Sequence, residues 1–139
     1  MKTLVRAACL LLMVGSLSSC FLGQKYQKNQ AATVAYLNEK ASSKAQINVE
    51  GLWYSPQWGV ILLNQTPDGK VTGVVDGYLH AKGVVSGKNV YLVLVDDDWT
   101  EYTVELRRTK WDQLKGHFSS WVPFNAIDQQ EVVLEKIVD

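Results

Sequence analysis

The chain has 139 residues, 47% hydrophobic and 20% charged, with 14 Lys+Arg against 14 Asp+Glu. The length favours one domain, and the apolar content excludes a disordered chain. Zero net charge excludes a nucleic-acid binder driven by phosphate contacts, and three Pro without a G-X-Y period exclude a collagen-like or Pro-rich spacer.

Lys2 and Arg6 lead into the apolar run Ala7-Ala8-Cys9-Leu10-Leu11-Leu12-Met13-Val14. A charged start, a short apolar stretch and a small-residue end make the three-part pattern of a secretory signal. The run is too short to cross a bilayer, which takes about 20 residues. Leu17-Ser18-Ser19-Cys20 then resembles the lipobox of bacterial lipoproteins: Leu, two small residues, Cys. The resemblance implies that residues 1–19 are removed, that a diacylglyceryl group joins the Cys20 thiol, and that the new amine is acylated. The small residues suit a narrow peptidase groove in which bulky side chains clash. Each buried methylene contributes about 0.8 kcal/mol, so two or three chains anchor a protein that one chain holds only marginally. The first expected partner is therefore the lipid bilayer, through acylated Cys20. In that family an Asp after the Cys tends to retain the protein in the inner membrane. Phe21 stands there instead, which implies an outer-membrane anchor with the domain facing the periplasm.

The two cysteines are then accounted for: Cys9 falls in the removed segment and Cys20 carries lipid. The mature chain has neither free thiol nor disulfide in an oxidising compartment, so its stability rests on a hydrophobic core.

Residues 20–49 read as the lipidated Cys followed by a polar tether. Val34, Leu37 and Ala41 stand at helical spacing, which allows a short helix within 31–41 that docks on the domain or frays. Lys25, Lys28, Lys40 and Lys44 against Glu39 give residues 21–49 a net +3, whereas residues 50–139 carry a net −5. Such a basic segment is either a solvated spacer or a contributor to headgroup attraction, worth about 1 kcal/mol per Lys near the surface.

From Glu50 the pattern turns to short strands: 51–54, 58–65, 71–76, 78–86, 90–95, 99–107, 114–120 and 131–138. Thr66-Pro67-Asp68-Gly69 and Gly87-Lys88-Asn89 supply turn chemistry. Strands at this spacing predict an all-β domain over 50–139, a small antiparallel up-and-down barrel or meander of about eight strands. Tyr102, Val104 and Leu106 alternate with Thr103, Glu105 and Arg107, as a half-buried strand requires. Val60–Leu63 and Val90–Val95 are apolar on both faces. They are expected either to be covered by the tether or a partner, or to tolerate exposure. Val71-Thr72-Gly73, Val85-Ser86-Gly87 and Leu114-Lys115-Gly116 share an apolar-x-Gly step, which favours the tight bends of a closed sheet.

Gly51-x-Trp53, then Gly59, then Gly69-x-Val71-x-Gly73, is similar to the opening hairpins of lipocalin-like and avidin-like barrels. That likeness, over about 25 residues, implies that Trp53 plugs the barrel base. Tyr54-Ser55-Pro56 follows the Trp in place of the polar residues that hold biotin in avidin-like proteins, so biotin binding is not implied.

The chain holds no H-E-x-x-H, P-loop or G-x-S-x-G motif, and no catalytic Cys is expected to survive processing. His80 and His117 are read as surface histidines, and Asp96-Asp97-Asp98 with Glu101 as a solvated hairpin turn that fits no EF-hand spacing. No enzyme activity, metal or cofactor is expected. Trp53, Trp58, Trp99, Trp111 and Trp121 are the candidate ligand-binding residues. Either they stack on a hydrophobic or carbohydrate ligand at a barrel mouth, or they plug a Gly-rich barrel. The expected function is a non-catalytic binding or carrier domain on a membrane anchor. The alternative is a structural or assembly subunit that binds another envelope protein.

Overall fold

The computed structural model describes residues 29–97 and 99–138. The signal sequence, Cys20, Phe21, Lys25, Lys28 and Asp98 lie outside the described residues. Eight antiparallel strands, β1 (Gly51–Ser55), β2 (Gly59–Gln65), β3 (Lys70–Val75), β4 (Leu79–Ser86), β5 (Asn89–Asp96), β6 (Trp99–Lys110), β7 (Gln113–Ser119) and β8 (Gln129–Lys136), follow one another around a closed barrel. The expected up-and-down topology is therefore observed. The seam is short: β8 meets β1 through Trp53↔Lys136 and Tyr54↔Glu135, extended by the bond from the Ile137 amide to the Leu52 carbonyl at 2.9 Å.

Period-2 alternation decides what fills the barrel. Ile61, Leu63, Val71, Leu92, Leu94, Leu106, Leu114 and Leu134 point inward and join Trp53 in one continuous buried cluster. The interior is filled by side chains. Room for them comes from inward positions that carry no side chain. Gly73, Gly83 and Gly116 lie opposite Leu63, Leu92 and Leu106 on neighbouring strands. A Cβ at these glycines would fall within about 2 Å of a neighbouring carbonyl oxygen: 2.1 Å at Gly73, 2.1 Å at Gly83 and 1.9 Å at Gly116. Two of the three apolar-x-Gly steps thus act as expected. Gly87 does not: it sits in the β4–β5 turn with positive φ and open space beside it, and Gly83 takes the third close approach.

One end of the barrel is closed by the chain that precedes β1. Ala45 bridges Gly87, and the Gln65 amide clamps the crossing segment, accepting from the Val49 amide at 2.8 Å and donating to the Ile47 carbonyl at 2.9 Å. Val49 is fully buried, and its carbonyl accepts from the Trp53 indole at 2.9 Å. Arg108 Nη2 donates to the Asn48 carbonyl at 2.7 Å. In the β2–β3 turn at this end, the Thr66 hydroxyl donates to Asp68 and holds that carboxyl below its ordinary pKa.

Residues 29–40 form a helix, α1, which lies on the outer wall of β5 and β6. Its docking face differs from the expected one. Val34 is 59% exposed, whereas Thr33, Tyr36, Leu37 and Lys40, at i, i+3, i+4 and i+7, meet the barrel. Tyr36 is buried with Val93 and Val95 and donates to Glu105 Oε1 at 3.2 Å. Lys40 Nζ stands 3.4 Å from the same carboxylate and 5.3 Å from the centre of the Tyr91 ring. The Thr33 and Thr100 hydroxyls meet at 2.6 Å, and Asn29 Oδ1 accepts from the Thr100 amide at 3.0 Å. The doubly apolar β5 is thus covered by the segment that reads as a tether. The doubly apolar β2 is not: Val60 and Leu62 remain 49% and 42% exposed.

Candidate functional site

The barrel has two unlike ends because every second hairpin turns at the same end. The β2–β3, β4–β5 and β6–β7 turns share the closed end with residues 45–49. The β1–β2, β3–β4, β5–β6 and β7–β8 connections form the other end, and there the barrel opens into a depression of about 560 Å³.

Aromatic side chains floor this mouth. The Trp58 and Phe118 rings lie 4.9 Å apart at 60°, and Tyr102 meets Phe118 edge-on at 5.6 Å. Leu79 lies beside them, and Tyr78, 61% exposed, stands at the margin. The rest of the lining is polar: Gln57, Ser120, Asp128 and Gln130. The hydrogen bonds here hold the rim in place. The buried Ser55 hydroxyl donates to Gln57 Oε1 at 2.9 Å, and Gln57 Nε2 donates to the Glu131 carbonyl at 3.1 Å, tying β1 to β8.

The long β7–β8 connection is ordered by short polar side chains. Ser119 Oγ accepts from the amides of Trp121 and Asn125 at 3.2 and 3.3 Å. Thr103 Oγ1 donates to the Trp121 carbonyl at 2.7 Å. Asn125 Oδ1 accepts from the Ile127 amide at 2.9 Å and caps the 3-10 turn Ala126–Asp128. That turn delivers Asp128 to the mouth, where its carboxylate accepts from the Ser120 hydroxyl.

The five tryptophans are divided by this geometry. Trp58 lies in the mouth, Trp99 is exposed at the mouth-end start of β6, and Trp121 is exposed on the β7–β8 connection. Trp53 is buried beside the closed end, with Lys136 Nζ 5.7 Å from its ring centre. Trp111 is 65% exposed on the β6–β7 turn at the closed end, so it shares no site with the others. Tyr78, Tyr102, Phe118 and Asp128 were not singled out by the sequence. Hairpin parity is the signal that finds them, since each lies on or beside a connection at the same end as Trp58.

His80 and His117 are exposed on β4 and β7, away from the mouth lining. Asp96 and Asp97 are exposed on the β5–β6 turn. Among the described residues no group of three His, Cys, Asp or Glu side chains converges on a metal-sized site. No described helix is long and apolar enough to cross a membrane. Compared with family models, curated proteins and solved structures, the chain matches none.

Proposed function

We propose that the protein is a lipid-anchored envelope lipoprotein whose barrel is a non-catalytic binding module, with its ligand taken at the mouth. The observation that carries this reading is the contrast between a filled interior and an open, aromatic-floored depression with polar groups on its rim. Binding sites of small molecules combine these features at volumes of about 300–1,000 Å³. A filled interior argues against a carrier that encloses its cargo, so the ligand rests in the mouth. The anchor is supported by the Leu17-Ser18-Ser19-Cys20 motif. Asn29, the first described residue, packs at the mouth end and follows Cys20 by nine positions, a reach of at most about 30 Å. An anchor at Cys20 therefore keeps the mouth close to the bilayer.

Cell fractionation tests the anchor. The native protein is expected with the membranes, and Cys20→Ser is expected in the soluble periplasmic fraction; a Cys20→Ser protein that stays with membranes contradicts it. Amide chemical shifts test the site. Ligand-induced changes are expected at Trp58, Tyr102, Phe118 and Asp128, and changes confined to the closed end contradict a mouth site.

A second reading, an assembly subunit bound to another envelope protein, is favoured by one observation. The outward pairs Leu52↔Leu62 and Tyr54↔Val60 leave all four side chains 42–49% exposed on adjoining strands. In-cell crosslinking from position 60 to one other protein, lost on Leu62→Lys, supports that reading.

A further inference from the structure

The chemistry of the mouth narrows its ligand class, on the reading that the mouth is a binding site. The described residues of the four connections at that end, 56–58, 76–78, 97 and 120–128, include Asp76, Asp97 and Asp128 and no Lys, Arg or His. The closed end carries both signs, with Lys44, Lys70, Lys88 and Lys110 flanking turns that hold Asp68 and Asp112. Within the depression Asp128 is the one charged residue, and it has no cationic partner among the described residues. A cleft of one charge sign with low-dielectric walls concentrates counter-ions. Its walls here are the rings of Trp58, Tyr102 and Phe118, whose faces attract cations that are weakly hydrated.

We infer that the mouth binds an organic cation, an alkylated or primary ammonium group seated against Trp58 and Tyr102 with Asp128 as its counter-charge. The same field disfavours anionic ligands such as free fatty acids and phosphates. Neutral sugars would use the ring faces and the Gln130 amide, but they leave the Asp128 charge uncompensated. An ammonium group uses both the rings and the carboxylate.

The test uses the full-length protein extracted from membranes in neutral detergent, with tryptophan emission and calorimetry as readouts. The probes are choline, its uncharged carbon analogue 3,3-dimethylbutan-1-ol, and N,N′-diacetylchitobiose. Choline is expected to bind saturably, about tenfold or more tighter than the alcohol, and to weaken with added salt. Asp128→Asn keeps a hydrogen-bond acceptor beside Ser120 and is expected to lower choline affinity about tenfold without changing that of the alcohol. Near-UV circular dichroism identical to the native protein shows that the variant is folded. Tyr102→Leu, which removes a ring and leaves the charge, is expected to weaken choline as well. A response to phosphatidylcholine vesicles as well as free choline assigns the cation to a lipid headgroup, and a response to free choline alone assigns it to a soluble ligand. Equal affinity for choline and the alcohol, or choline binding indifferent to Asp128→Asn, overturns the cation inference while leaving a mouth site. Chitobiose binding without choline binding does the same. Silence toward all three probes overturns the site itself.

Discussion

Tyr36 shows how one side chain ties a segment to the barrel. Its ring is buried against Val93 and Val95, and its hydroxyl reaches Glu105, which Lys40 also contacts. Burial first, and then the Glu105 charge, push the phenol well above its ordinary pKa. The folded protein therefore keeps a proton that the unfolded chain releases near pH 10. The stabilisation tied to that proton is complete below the unfolded value and shrinks as pH rises above it. Tyr36→Phe is expected to cost about 1–2 kcal/mol at pH 7 in urea unfolding, and its deficit against the native protein should narrow from about pH 9 to pH 11. A deficit independent of pH contradicts this account of Tyr36. Gly116 carries a steric demand of a different kind. A Cβ there meets the Glu105 carbonyl oxygen at 1.9 Å, backbone that cannot swing aside. Gly116→Ala is expected to cost about 2 kcal/mol or more, read as a lower thermal midpoint.

At the scale of elements, β2 and β5 make the same sequence pattern and meet different fates. Both present apolar side chains outward, yet α1 covers Val93 and nothing described covers Leu62. A charge placed at Val93 must be buried, whereas one at Leu62 reaches water. Val93→Lys is expected to lose at least about 3 kcal/mol, and Leu62→Lys to stay within about 0.5 kcal/mol, by denaturant midpoints. Similar losses at both positions contradict the assignment of the covered wall. The sequence revealed all eight strands because turn residues and period-2 alternation are local signals. It placed Leu37 correctly on the docking face of α1 but put Val34 beside it, because hydropathy favoured Val34. The helix docks instead by the Thr33 and Tyr36 hydroxyls, whose partners Thr100 and Glu105 lie 67 and 69 positions away.

For the molecule as a whole, closure of the sheet turns a list of loops into two ends. The sequence named Trp58, Trp99, Trp111 and Trp121 as candidates, but which turns share an end follows from the up-and-down order. That order sends Trp111 to the closed end and brings Tyr102, Phe118 and Asp128 to Trp58. Trp53 went to the core, where its indole reaches the Val49 carbonyl of the plug. The two ends differ in packing and in the charges their turns carry. One is sealed by residues 45–49 and carries lysines and carboxylates together, and the other is open, aromatic and acidic.

The membrane anchor we propose would give this asymmetry an orientation, since α1 begins at the open end. Intact-mass spectrometry of the protein purified from membranes tests that claim most directly. The account predicts a chain that begins at Cys20 and carries the added mass of two or three fatty acyl chains on a glyceryl thioether and the terminal amine. A mature chain with an unmodified Cys20, or one that still begins at Met1, contradicts it.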